Sequence, residues 1–359
     1  MDRVVQLLST VGLFVAVLLV LVMVHELGHF VTAKRAGIKV LEFGFGFPPR
    51  LFGLKRGETE YTVNLLPLGG FVKMLGEEDP SDPRSFAAQP AWVRIVVLAA
   101  GATMNAVLAI ALFSGSLMIP REVVQGQVVI ESVAPDSPAE RAGIQPGDQV
   151  VRVNGRLVTN QGDLSYRIMR HIGDEITLTL KSDRFSSREV TVVPRLNPPP
   201  GEGATGIRIA LRSAYPGEES YPIWEAIPLG FERTWDMLVI TKNDLSRSIA
   251  QRVAPPLAGP IGIADMTRQV ADTGGPGRLI EFIGLLSINL AIVNILPLPM
   301  LDGGRIVFVL VELVRGGRRV APEKESLVHL AGLVMLLTLV VIISYNDIAR
   351  MVSGGSLVR

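Results

Sequence analysis

His25-Glu26-Leu27-Gly28-His29 sets two imidazoles four residues apart with a carboxylate between them. On an α-helix, residues i and i+4 share a face, so both rings can hold one metal ion. Glu26, beside them, can take a proton from a water on that ion. The sequence has four histidines (His25, His29, His171, His329) and no cysteine. Any transition metal therefore rests on His, Asp or Glu, and disulfides and thiolate zinc ribbons are excluded. A bare HExxH on a soluble helix is often two surface histidines. Here it ends an uncharged apolar run, where ionisable side chains are costly and mark function, so the metal reading outweighs the surface one.

Catalytic zinc keeps three protein ligands and one open position. Asp302, within Asn294-Ile295-Leu296-Pro297-Leu298-Pro299-Met300-Leu301-Asp302-Gly303-Gly304, is the first candidate for the third ligand. His329, at the head of another apolar run, is the second, although an interfacial histidine explains it better. Asp302 could instead cap the helix that follows Pro299. Residue 4 to His25, and residue 282 to Asp302, each measure about 30 Å of helix, which puts both groups at one depth. Pro297 and Pro299 break that helix, and a broken helix at membrane depth lines protein or a cavity. The freed backbone could pair with an extended substrate. Asn289 and Asn294 could hold substrate backbone or stabilise an oxyanion; interhelical hydrogen bonding explains each equally well. Gly101 reads as part of a small-residue packing face, with Asn105 a weaker site candidate. His171 reads as a surface residue.

The elements that position these residues are membrane spans. Hydrophobic residues make up 48% of the 359 and are clumped, and the net charge of +1 gives no pull toward nucleic acid. Residues 4–24 are uncharged and long enough to cross ~30 Å of hydrocarbon; the run is too long for a signal peptide and no cleavage site follows. Further spans are expected at 93–119, 279–311 and 327–345, with HExxH closing the first element at 1–30. The loop 31–92 reads as short strands around the turn at 55–58, and the strand carrying Tyr61, Thr62, Val63 and Asn64 is expected to have an edge free for strand addition. Residues 120–200 read as a soluble insert of strands and one amphipathic helix, closed by Asn197-Pro198-Pro199-Pro200-Gly201. Residues 201–278 are expected to be a linker whose 222–250 segment lies at the interface, because Glu225, Glu232, Arg233 and Asp236 oppose a span. Lys34, Arg35, Lys39 and Arg94, with Arg315, Arg318 and Arg319, place the loops 31–92 and 312–326 on the cytoplasmic side and the insert outside; Arg3, Arg350 and Arg359 weaken that asymmetry.

The HELGH motif with Phe30–Val40 after it, Gly44–Phe47 (GFGF), Asn64–Met74 (NLLPLGGFVKM), Gly101–Asn105 (GATMN) and Asn294–Gly304 (NILPLPMLDGG) together resemble the site-2 protease family of intramembrane zinc metalloproteases, in its bacterial regulator-of-sigma-E group. The resemblance runs in order over essentially the whole chain. It implies a polytopic α-helical membrane protein of about four transmembrane helices. A cytoplasmic-side membrane β-hairpin region and an inserted extracytoplasmic PDZ-like α+β domain complete it. It implies Zn2+ held by His25, His29 and Asp302, with Glu26 as base. It also implies single-pass membrane protein substrates, such as anti-sigma factors or signal-peptide remnants, trimmed beforehand by a site-1 type protease, in the lipid bilayer of a bacterial inner membrane. The better-known members carry two PDZ domains and this insert has room for one. Gly101-Ala102 stands where the group often has Gly-Pro. In such an insert, the strand Gly126–Val133 facing the helix around Leu164–His171 is expected to receive a peptide. Two rival classes remain: a catalytically silent PDZ-bearing scaffold, which would be expected to lose Glu26 or a ligand, and a zinc transporter, which would spread His and acidic residues over several spans.

Overall fold

The computed structural model describes residues 2–182, 186–199, 201–251 and 258–352; Pro200 and 252–257 of the expected linker, and Arg359, lie outside the described residues. The chain forms two compact units, one of Met1–Ser116, Ala226–Thr234 and Leu257–Arg359, the other of Leu117–Glu225 and Trp235–Pro256.

Among the described residues, four helices are long and apolar enough to cross a membrane: Ser9–Arg35, Ala91–Met118, Pro260–Ile295 and Pro322–Val352. The first lies within α1 (Asp2–Arg35), which ends on Lys34 and Arg35, favourable at a helix C-terminus, just before Gly37 at φ 77°. The second is α2 (Ala91–Met118), which starts one residue after Pro90. Between them, β1 (Val40–Arg56) and β2 (Thr59–Met74) pair antiparallel and bend into a small sheet. Tyr61 stands opposite Leu54 on one side and Phe43 on the other; Thr62 stands opposite Gly53 and Gly44. The strand at 60–63 is therefore interior. The expectation of a free edge there fails, because β1 doubles back to cover both sides, and the edge beside 42–45 belongs to residues 70–73. Lys34 and Arg84 clamp Glu58, at the β1–β2 turn, at 2.9 and 2.6 Å and hold its carboxyl down to about 2.

The second unit is built on a sheet of β3 (Arg121–Val133), β4 (Gln149–Val153), β5 (Arg156–Leu157), β6 (Ile176–Ser182), β7 (Ser186–Val192) and β8 (Ile207–Glu219), with α3 (Pro138–Arg141) and α4 (Gln161–Arg170) between strands. The strand order is β7-β6-β4-β3-β8, with β5 off that path on β4. Val128, Ile130, Val150, Leu164, Ile176, Leu178 and Leu180 form its core. The insert does not stop at 200, because β8 pairs with β3 from Arg121↔Glu219 to Val133↔Ile207. The same pairing corrects the expected peptide-receiving strand. Gly126–Val133 is interior, and β8 is the edge strand, with Gln161 of α4 donating to its Ile209 carbonyl at 3.2 Å. The part of helix α5 (Ile223–Gln251) from Trp235 on holds α4 within this unit: Asp236 accepts from Tyr166 Oη at 2.6 Å and pairs with Arg170 Nε at 2.8 Å.

The rest of the first unit follows α5. The expected third span 279–311 is two helices, α6 (Pro260–Ile295) and α7 (Asp302–Val314), and Pro297 and Pro299 stand in the gap between them. At its other end α6 reaches back to Pro260 through a kink at Gly275, φ 68°, so part of the expected linker is helical. Helix α8 (Pro322–Val352) completes the unit, and its buried Asp347 accepts hydrogen bonds from the N–H groups of Gly259 and Gly262, capping α6.

Candidate metal centre

His25 and His29 project from one face of α1, and both are buried. Their Nε2 atoms lie 3.1 Å apart. Asp302, the first residue of α7, brings Oδ2 to 3.0 Å from His25 Nε2 and 3.2 Å from His29 Nε2. Among the described residues, these three form the group able to share an ion. Three ligands of a tetrahedral ion bonded at ~2.0–2.1 Å stand about 3.3 Å from one another, so the triangle has the size and near-equal edges of a metal triad.

Hydrogen bonding gives the same reading independently. His29 Nδ1 donates to the Val97 carbonyl of α2 at 2.8 Å, which leaves Nε2 bare in the neutral ring. A bare nitrogen facing a carboxylate oxygen repels it unless a cation lies between. Asp302 Oδ2 is itself buried without a hydrogen-bond partner. Around His25 Nδ1, the amides of Asn105 and Asn294 each approach to 3.4 Å. With His25 Nε2 turned to the triangle, Nδ1 carries the proton and needs an acceptor. Asn105 Oδ1 is buried and unpartnered as placed, and turning that amide over supplies the acceptor. Ser287 of α6 donates to the Asn105 carbonyl at 2.7 Å and fixes α6 beside α2.

Glycines set the close approaches. A Cβ on Gly28 would run into the Ala100 carbonyl, so α1 and α2 touch backbone to backbone beside the histidines. A Cβ on Gly101 would lie 2.5 Å from His29 Nε2 and 2.6 Å from His25 Nε2, so this glycine, expected only to pack helices, lies directly against both imidazoles. Gly303 and Gly304 fold back on the carbonyls of Ile295, Leu296 and Leu298, a turn that a side chain would block, and this swings Asp302 onto the histidines. The turn also places the carboxylate at the N-terminus of α7, where the helix dipole favours it. Farther along α7, Arg305 pairs with Glu77 and Glu312 with Arg94, each at 2.7 Å.

Glu26 is half-buried beside the triad. Its carboxylate meets the backbone of Val72, and Gly70 comes so near that a Cβ there would lie 3.2 Å from Glu26 Cγ. The remaining expected residues divide. Asn294 reaches the triad; Asn289, half-buried on the same helix, makes none of the triad's hydrogen bonds among the described residues. Pro297 is exposed in the break, while Pro299 packs against Gly332 of α8. Thr62 donates to Glu42 at 2.7 Å, Asn64 to the Gly46 carbonyl at 3.1 Å, and the Tyr61 ring rests on Phe30 and Phe43. These three are committed within the sheet, and Val63 alone of the four is exposed. His329 is no member of the triad; its Nδ1 accepts from the Met300 N–H.

Residues 13–339 match the model of peptidase family M50. A Clostridium perfringens chain, whose name assigns it only provisionally to the zinc metalloproteases, is 37% identical over 332 residues, 91% of this chain and 95% of its own. The zinc metalloprotease RasP of Oceanobacillus iheyensis is 30% identical across 96% of this chain and 100% of its own. The regulator of sigma-W protease RasP of Bacillus subtilis is 29% identical across 96% and 99%.

Proposed function

Since the chain belongs to peptidase family M50, the site-2 proteases, and is a zinc metalloprotease with membrane-spanning helices, we propose that it hydrolyses a peptide bond within or next to the transmembrane segment of single-pass membrane proteins. The observation that carries this reading is the triangle of His25, His29 and Asp302, edges 3.0–3.2 Å, set on apolar helices. These three residues hold the zinc, and Glu26 is the base. Zinc held there would supply Lewis-acid chemistry, activating the attacking water and polarising the scissile carbonyl. Glu26 takes the proton of the attacking water and delivers it to the leaving amide nitrogen. His29 is held in its ligating tautomer by Val97, and His25 by the Asn105 amide oxygen once that amide is turned.

A helical substrate hides its carbonyl carbons within its own hydrogen-bond ladder, so it must unwind to be cut, and unpaired backbone in lipid is costly. The strand at 70–73, whose Gly70 and Val72 border Glu26, offers replacement partners by strand addition, and the break at 296–301 lies beside Asp302. The insert is a single PDZ-like domain with its peptide groove between β8 and α4, and it governs access rather than chemistry. Substrates of the anti-sigma or signal-peptide-remnant class, trimmed first by a site-1 type protease, suit a site of this kind. The protein then lies in a bacterial inner membrane with the insert outside and the loops 31–92 and 312–326 in the cytoplasm. The exposed stripe Trp224, Ile227, Phe231 and Trp235 of α5 rests in the interface.

The test uses purified protein and a panel of single-span reporters, with and without a zinc chelator. Glu26→Gln is expected to retain about one zinc per chain, as wild type does, and to lose nearly all turnover, since it keeps the ligands and removes the base. A Glu26→Gln variant that cleaves near the wild-type rate, or a wild type indifferent to the chelator, refutes the reading.

A further inference from the structure

Asp302 reaches the histidines only because the chain between Ile295 and Asp302 is folded tightly, and among the described residues α8 touches that fold at Pro299 and Met300. Within it, Leu298 N–H donates to the Leu296 carbonyl at 2.7 Å and Leu301 N–H to the Leu298 carbonyl at 3.3 Å. Met300, by contrast, holds φ 73°, a conformation uncommon for a side-chain-bearing residue. Its N–H turns outward to α8, where His329 Nδ1 accepts it at 2.9 Å. Three residues on, Gly332 brings α8 against Pro299 so closely that a Cβ would strike the Pro299 ring. Helix α8 therefore presses on the two residues immediately before Leu301 and Asp302, by one contact of shape and one of hydrogen bonding.

We infer that His329 is a positioning residue: it fixes Met300, and through Met300 the angle at which Asp302 enters the metal triangle. The inference rests on the reading of Asp302 as a zinc ligand. Accepting from Met300 requires Nδ1 to be bare, so the ring is neutral with its proton on Nε2. Nε2 is enclosed without a hydrogen-bond partner, with the Glu325 carboxylate 3.8 Å away. The ring borders a cavity of about 680 Å³ shared with Phe308 and Arg305. The Met300 bond is therefore what orients the imidazole, and the ring has space to turn when that bond is lost. Loosening Met300 widens the range of Asp302 positions, whereas metal bonds tolerate departures of only ~0.2 Å. The effect falls on zinc retention and on turnover rather than on substrate binding.

Three variants of the full chain in detergent separate this role from simple packing. His329→Asn keeps an acceptor, Oδ1, where Nδ1 stands. His329→Gln moves the acceptor one bond farther out, and His329→Phe keeps the ring and removes the acceptor. The readouts are the rate of zinc loss to a chelator and the kcat and KM for a single-span reporter. The expected result is zinc loss about tenfold faster in the Phe and Gln variants, the low end for residues that support a metal ligand. The kcat should fall with KM unchanged, and the Asn variant should stay within about twofold of wild type by the same reasoning. Wild-type zinc retention in the Phe variant, or equal impairment of the Asn and Phe variants, overturns the inference. Asp302→Ala, run in parallel, distinguishes the two levels. If it keeps its zinc, the ligand reading itself falls. If it loses zinc while His329→Phe does not, only the role of His329 falls.

Discussion

Gly101→Ala adds one carbon to the protein and should remove its metal. The new Cβ would lie 2.5 Å from His29 Nε2, and 2.6 Å from both Nε2 and Cε1 of His25. Non-bonded heavy atoms settle at about 3.5 Å, so about 1 Å must open at both rings at once. His29 cannot swing freely, because its other nitrogen is tied to the Val97 carbonyl at 2.8 Å. The helix α1 cannot slide closer elsewhere, because Gly28 already touches Ala100. The strain therefore moves the ligands or parts the helices. Overpacking of this kind costs about 1–3 kcal/mol, and a ligand displaced by ~1 Å is far outside the ~0.2 Å that a metal bond tolerates. Zinc affinity should fall at least tenfold to a hundredfold.

The same helix supplies the control. A Cβ on Gly115 would meet nothing within 4 Å, so Gly115→Ala should keep full zinc and gain up to about 1 kcal/mol in helix propensity. Zinc per chain by elemental analysis across a chelator series, with reporter cleavage alongside, compares the two. If Gly101→Ala holds its zinc and turns over like Gly115→Ala, the triangle does not lie where the Gly101 contact puts it, and the reasoning fails.

Two further outcomes are expected. Among matched substrates, those with Gly in place of Ala beside the cut should unwind more cheaply by about 1 kcal/mol and be cleaved about fivefold faster with saturating enzyme; equal rates would remove unwinding as a requirement. Deleting residues 121–219, which removes the whole sheet including β8, should change which reporters are cut or relax the need for prior trimming. Complete loss of cleavage in a well-folded deletion would give the insert a structural role instead.

What the sequence made legible followed from local rules. The i, i+4 histidines, the apolar helices and the proline break before Asp302 each depend on neighbours within a turn or two; the structure has both histidines on one helix and the prolines in the gap before Asp302, while the third apolar helix begins at Pro260 rather than near 279. The misreadings share one cause, which is that pairing partners are not local. Nothing within 60–65 tells an edge strand from an interior one, and residues 42–45 cover its second side. Ile207, Ile209 and Leu211 alternate as a strand should, but they follow a proline-rich stretch that reads as the end of a domain, and only pairing with β3 makes them part of it. Gly101 is the instructive miss. A glycine among alanines in a span reads as helix packing, and packing is what it does, but against two imidazoles rather than a backbone. Asn105, one turn farther along α2 and turned to His25, was the available signal. Residues four apart share a face, so a polar side chain buried on that face tells what the glycine faces too.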